Sequence, residues 1–120
     1  MNGPNQGIYM TGGTIHAQAL AVGVGARATT VAEDLRARGK DEVAQRLDEF
    51  VAQLEAHADE VPGIEDVLGA TETVTEELAK ERPNKTTVTG VLSGIATSVQ
   101  SVSGLATAVD ELLKVVQGIF

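Results

Sequence analysis

Three short stretches combine residue types that can do chemistry. Gly23–Ala28 fits the G-x-G-x-x-A pattern of loops that cradle a dinucleotide phosphate. Glu55–Glu60 holds three carboxylates and one imidazole, which are common metal ligands. Gly90–Gly94 carries a serine between glycines and differs by one position from the G-x-S-x-G nucleophile elbow of hydrolases. In that order, these patterns are typical of a nucleotide site, a metal site and a catalytic nucleophile.

Each of the three patterns lacks the residues that would complete it. A dinucleotide site needs a second strand that ends in an acid about twenty residues further on, whereas Asp41–Val61 has helical periodicity. On a helix, His57 points away from the face that Glu55 and Asp59 share. Ser93 lies in a helical stretch and has no histidine near it in sequence. We therefore expect no catalytic residue, no cofactor and no metal, and we predict that the protein is not an enzyme.

Composition narrows the class of protein further. The chain has 120 residues, of which 42% are hydrophobic and 2% aromatic, and this length suits one small domain. Seventeen acids against nine bases give a net charge of −8, which argues against nucleic acid as a partner. The absence of cysteine excludes disulfides and thiolate zinc sites. The first residues resemble no secretory signal, so we expect a cytoplasmic protein.

The first thirty residues contain a single charged side chain, Arg27, and predict a β-prone segment over residues 1–28. Ile8–Thr11 and Thr14–His16 are rich in strand-forming residues and flank a Gly-Gly pair. An isolated two-stranded ribbon is marginal in water, and unpaired strand edges attract another chain. We therefore predict self-association through the apolar residues of this segment, namely Ile8, Tyr9, Met10, Ile15, Leu20 and Val22.

The middle of the chain predicts three helices. Thr30–Glu33 matches a capping box, and Gly39 ends a short helix over residues 31–38. Apolar residues then recur at steps of three and four over residues 41–61, up to Pro62-Gly63, and again over residues 64–82, up to Pro83.

The last part of the chain predicts one long helix over residues 85–118, with Asn84 as its N-cap. Five β-branched residues lie seven apart and form a heptad-like seam that should pack against other helices: Val88, Ile95, Val102, Val109 and Val116. Such a helix is about 50 Å long, so it must either kink at a glycine or extend past its neighbours. The predicted fold class is mainly α, with the β-prone segment followed by an antiparallel helical bundle over residues 29–120.

The long helix contains 24 consecutive residues without a formal charge, 86–109, and this segment leaves two interpretations open. It is either a core helix with Ser and Thr facing outward, or an amphipathic helix that leaves the bundle and perforates a membrane. Small residues at Gly90, Gly94 and Ser98 would let another helix approach closely in either case.

Two resemblances bear on function. Ala19–Ala28 resembles one rung of the head repeat of trimeric autotransporter adhesins, which implies a segment completed by neighbouring chains. Thr11–Ile15, followed by a short helical domain, looks like small bacterial modules associated with STAND-type (NLR-like) signalling systems. That resemblance implies assembly by β-stacking and a role in bacterial signalling or immunity.

The sequence thus predicts a non-enzymatic, homo-oligomerising interaction protein. Its expected partners are further copies of itself and a signalling protein. A membrane enters only in the alternative, a membrane-perforating effector that uses residues 86–109.

Overall fold

The computed structural model describes residues 4–119, with side chains described from Gln18 to Gly118. This part of the chain is mainly helical, and it contains no strand between Gln18 and Gly118. The helices are, in chain order, α1 (Pro4–Ala37), α2 (Asp41–His57), a single 3-10 turn (Ala58–Glu60), α3 (Ile64–Ala79), α4 (Lys85–Ser98) and α5 (Ser103–Ile119).

The five helices form a closed ring in the order α1, α2, α5, α4, α3, so that each helix packs against two neighbours. Short connections reverse the chain direction after each helix. The contacts α1/α2, α2/α5, α5/α4 and α4/α3 are therefore antiparallel, whereas α1 and α3 run parallel. One parallel contact is unavoidable because an alternating up-and-down order cannot close around an odd number of helices. The predicted antiparallel bundle is thus correct for four of the five contacts.

The core inside this ring is aliphatic. Its largest fully buried side chains are Phe50 and seven leucines, joined by valines from every helix. Two threonines are also buried, and their hydroxyls donate to carbonyls one turn earlier: Thr71 to Val67 and Thr75 to Thr71, both at 2.8 Å. Because each of these hydroxyls has an acceptor, burying them within the described core leaves neither donor unsatisfied.

The short first helix predicted over residues 31–38 is instead the last part of α1, and residues 18–28 are helical as well. Small apolar residues recur along α1 at steps of three and four and form a buried stripe: Ala21, Val24, Ala28, Val31, Ala32 and Leu35. The capping-box interpretation is wrong, because Thr30 lies inside α1 and its hydroxyl donates to the Ala26 carbonyl at 3.3 Å. The predicted domain boundary after residue 28 falls within this helix. The β-prone prediction for residues 1–17 lies outside the described side chains and stays a prediction.

The prediction of a single long helix over residues 85–118 is wrong, because the chain turns back between Ser98 and Ser103. The break comes between Gly94 and Gly104 rather than at a glycine. The two resulting helices, α4 and α5, are each about as long as α2 and α3. Both halves of the apolar seam can therefore pack against neighbouring helices. A straight helix of about 50 Å would leave one half of that seam in water.

Two connections keep the ends of the helices in place. Gly39 adopts a left-handed conformation (φ 80°) after α1, as the predicted helix end requires. Next to it, the Arg38 guanidinium donates to the carbonyls of Leu78 and Lys80 at 3.0 and 2.9 Å, which ties the end of α1 to the end of α3. The predicted N-cap of α4 is confirmed, since the Asn84 side chain accepts the backbone N–H of Thr87 at 2.9 Å.

Glu77 braces the turn between α3 and α4. Its carboxylate accepts the backbone N–H of Asn84 at 2.8 Å and the Lys80 ammonium at 3.0 Å. The hydrogen bond from Asn84, followed by that from Lys80, lowers the pKa of Glu77 below its ordinary value.

Replacing the largest core side chain tests the packing. Phe50→Ala should lower the free energy of unfolding by about 3–5 kcal/mol, because it leaves a cavity that the surrounding helices fill only partly. Urea denaturation followed by circular dichroism measures this change. The exposed Thr86→Ala serves as control and should change the stability by less than about 0.5 kcal/mol. A similar effect of both variants would contradict the described core.

The brace at Glu77 predicts a pH-dependent stability. A lowered folded-state pKa means that the carboxylate stabilises the fold fully above the ordinary pKa of Glu, about 4.5. This contribution is lost as the pH falls through the lowered folded-state value. Glu77→Gln should therefore reduce the Tm at pH 7, and the difference from the parent protein should shrink toward pH 3. Glu76→Gln, on the preceding residue, is the control; an equal pH dependence there would argue against the brace.

Candidate functional site

The outer face of α1 carries the most exposed apolar side chains of the described chain. Leu20 is 38% exposed and Val22 is 59% exposed, whereas the other large hydrophobic side chains between Gln18 and Gly118 are buried or half-buried. Both residues belong to the set predicted to mediate self-association. Ile8, Tyr9, Met10 and Ile15, the other members of that set, lie outside the described side chains.

Helix geometry explains why these two residues are exposed. Successive residues are rotated by about 100°, so Ala21, Val24 and Ala28 share the face that points into the ring. Leu20 and Val22 then lie on the two edges of the opposite face. The small residues Ala19, Gly23 and Ala26 occupy the surface between them, all exposed. The result is a low ridge with one aliphatic side chain on each flank.

Leu20 lies in a groove between the parallel helices α1 and α3. Ala19, Leu20, Gly23, Val24 and Arg27 line it from α1, and Glu72 lines it from α3. The groove therefore combines an apolar floor with one positive and one negative side chain. Neither Arg27 nor Glu72 forms an ion pair or hydrogen bond with another described residue.

Val22 lies in a second groove, between α1 and α2, where Gly25 makes room for an acid. A Cβ atom at Gly25 would lie 3.0 Å from the carboxyl carbon of Glu55, so this carboxylate rests on α1 where a larger residue would make it move aside. Asp48 lines the same groove and is paired with Arg36 at 2.7 Å. This groove carries negative charge beside its apolar residues, in contrast to the groove on the other side of α1.

A third groove, between α2 and α5, contains one cation that is paired with two acids. The Arg46 guanidinium lies 2.9 Å from Glu49 and 3.5 Å from Glu111. The hydrogen bond to Glu49 and the negative charge of Glu111 raise the pKa of Arg46. Gly104 lies against the Gln53 side chain at the other end of the groove.

The residues singled out in the last part of the chain divide into two groups. The five seam residues, Val88, Ile95, Val102, Val109 and Val116, are all buried in the core. Gly90, Gly94 and Ser98 are exposed instead, and a Cβ atom at either glycine would meet nothing within 4 Å. No other helix of the described chain comes close to these two glycines, and close approach by a helix of another molecule stays a prediction. On α4, the buried seam residues Val88 and Ile95 lie on one side of the helix, and the three small residues lie on the opposite side.

The stretches with chemical patterns all lie on helices or helical turns of the described chain. Gly23–Ala28 lies inside α1, so no strand-to-helix loop precedes a phosphate site. The imidazole of His57 lies 2.7 Å from the Glu60 carboxylate, yet no group of three or more metal-binding side chains forms among the described residues. Residues 86–109 divide between α4 and α5. Within the described chain, no helix combines the length and the apolarity that crossing a bilayer requires.

The sequence does not indicate that Arg27 and Glu72 line the same groove. Arg27 is visible there as the only charged residue among the first thirty. Glu72 is one of fifteen acids between residues 31 and 83 and has no distinguishing neighbour in sequence. Only the parallel packing of α1 on α3 brings the two residues to one groove.

No protein-family model matches this chain, and no curated protein or solved structure matches it either.

Gly23 offers a direct test of the helical state of this segment. Alanine has a higher helix propensity than glycine, and a Cβ atom at position 23 would meet nothing within 4 Å. Gly23→Ala should therefore raise the free energy of unfolding by about 0.5–1 kcal/mol in chemical denaturation. Gly25→Ala should raise the free energy of unfolding by less, because the Glu55 side chain must move aside. A loss of stability at Gly23 would instead support a tight turn there.

Proposed function

We propose that the protein is a non-enzymatic interaction protein that associates with copies of itself through the exposed residues Leu20 and Val22 and through apolar residues within the first seventeen positions of the chain. The observation that supports this proposal is the exposure of Leu20 and Val22 on a chain whose other described large hydrophobic side chains are shielded. Exposed aliphatic side chains of this size, grouped on one face, are typical of protein contact sites.

The shape of this face favours another helix as the contacting element. Ala19, Gly23 and Ala26 carry little or no side chain, so the backbone of a second helix can come near. Helix axes pack 8–10 Å apart, according to the size of the side chains between them. Leu20 and Val22 would then close over the second helix from both flanks of the ridge.

A rough free-energy comparison indicates that the described residues do not suffice alone. Full burial of a Val or Leu side chain contributes about 1.5–3 kcal/mol, and both residues are already partly covered. In proportion to the exposed fractions of Leu20 and Val22, two copies together would gain about 3–6 kcal/mol from these side chains. Micromolar association needs about 8 kcal/mol after the cost of immobilising two molecules. The predicted contributions of Ile8, Tyr9, Met10 and Ile15 are therefore part of the proposal.

The biological setting of this self-association rests on resemblance. The Gly-Gly-Thr segment followed by a helical domain looks like modules of STAND-type signalling systems, and we extend the proposal to a scaffold role in such signalling. A signalling protein would then be the second partner. An oligomer presents several identical binding sites to such a partner. A partner that contacts more than one site binds the oligomer more tightly than it binds one copy.

Substitution of the two exposed aliphatic residues tests the proposal. Val22→Asp and Leu20→Asp should each shift the protein from oligomer to monomer at micromolar concentration, because a desolvated carboxylate opposes burial of the face. Light scattering after size-exclusion chromatography measures the mass. Removal of residues 1–17 should have the same effect, while it keeps the buried stripe of α1 from Ala21 onward.

Thr97→Asp is the matched control, since it adds the same charge to an exposed helical position on α4. It should leave the mass unchanged. Circular dichroism melts identify any variant that has lost its fold. A parent protein that stays monomeric up to about 100 μM would contradict the proposal, as would an oligomer that neither the aspartate variants nor the truncation affects.

A further inference from the structure

We infer that two copies of this chain meet through the groove between α1 and α3, with Arg27 of each copy paired to Glu72 of the other. This inference rests on the proposed self-association and specifies the contact that joins the copies. Three features of the described residues support it: the unpaired charges, their place in one groove, and the exposed leucine beside them.

The basic residues of the chain are nearly all engaged within it. Two of the nine, Arg27 and Arg82, form no ion pair or hydrogen bond with another described residue. Lys85 donates to the Gln117 carbonyl at 2.9 Å, and Lys40 also interacts within the chain. The remaining five form ion pairs: Arg36, Arg38, Arg46, Lys80 and Lys114.

Arg27 differs from Arg82 in its surroundings. Arg82 lies in the connection between α3 and α4 and lines none of the four grooves described along α1 and α2. Arg27 lines the α1/α3 groove together with Leu20 and Glu72. Although Arg27 and Glu72 line the same groove, they do not pair with each other. The groove thus presents one available cation and one available anion beside apolar surface.

A two-fold axis turns this arrangement into a self-complementary surface. In a symmetric dimer, residue i of one copy contacts residue j of the other, and j contacts i. A copy turned over onto the groove would therefore form the pair between Arg27 and Glu72 twice. Leu20 of both copies would be covered between the two pairs.

Charge also favours a second copy at this groove over approach at the other grooves. The chain has a net charge of −8, so most contacts between two copies bring carboxylates together. The α1/α2 groove presents Glu55, which forms no ion pair with a described residue, and Arg46 in the α2/α5 groove is held by two acids. A further groove beside Glu42 contains Lys114, which is paired with Asp110 at 3.0 Å. Among these four grooves, the α1/α3 groove is the one that combines a cation and an anion without ion pairs to described residues.

Charge reversal with mixing of variants tests this contact. Arg27→Glu and Glu72→Arg each place like charges opposite one another in a symmetric dimer. Each variant alone should associate at least about tenfold more weakly than the parent protein in low-salt sedimentation velocity. An equimolar mixture should recover association to within about threefold of the parent protein. In the mixed dimer, the carboxylate introduced into one variant faces the guanidinium introduced into the other, and the two native side chains form the second pair.

Two controls match the charge changes at nearby or equivalent positions. Arg82→Glu reverses the other unengaged arginine, and Glu76→Arg reverses an exposed acid one turn further along α3. Neither should weaken association more than about threefold, and mixing them should restore nothing. Thermal melts of all four variants check that the bundle is intact.

The outcomes separate this inference from the proposed function. If the parent protein associates but Arg27→Glu and Glu72→Arg behave like their controls, the groove contact is wrong and the proposed self-association stands. If each variant weakens association but the mixture does not recover it, pairing between copies is also wrong. A monomeric parent protein would refute the proposed function itself. Recovery in the mixture alone would establish the contact, since pairing within one chain cannot produce it.

Discussion

Each of the five helices can bury its apolar face only if it has a neighbour on both sides. The ring of α1, α2, α5, α4 and α3 meets this condition, and its core between Gln18 and Gly118 consists of aliphatic residues and a single large aromatic residue, Phe50. A core of this kind lacks the wide rings that fill space between distant helices, so the helices must lie close together. Buried alanines on α1 also allow close packing. On α3 the same is true of the buried threonines Thr71 and Thr75, whose hydroxyls donate to backbone carbonyls of their own helix.

The odd number of helices makes the ring asymmetric. Its antiparallel contacts follow from short connections, but the closing contact between α1 and α3 joins two parallel helices whose connection passes through α2. Residues far apart in sequence meet there, and the groove between them holds Leu20, Arg27 and Glu72. The position of the candidate contact surface is therefore a consequence of how the ring closes.

The ends of the helices are held by polar groups rather than by the core. Arg38 ties the end of α1 to the last carbonyls of α3, and Glu77 with Asn84 fixes the turn into α4. Most remaining charges lie outside and leave the protein strongly acidic. In such a chain Arg27, which pairs with no described residue and lines a groove with the exposed Leu20, distinguishes this face from the other described grooves.

The sequence by itself determined the helical class, the extents of α2 and α3 to within a few residues, the turn at Gly39, the N-cap at Asn84 and the apolar seam. These features depend on local periodicity and on residues that end or begin helices, and both are visible in a short window of sequence. Only the tertiary structure decided that residues 18–30 are helical and that the seam turns back after Ser98. In both cases local propensity was weak or ambiguous, and the gain from burying an apolar stripe against neighbouring helices settled the outcome. The same holds for Arg27 and Glu72, because nothing within the chain's local pattern indicates which two of its many charges will share a groove.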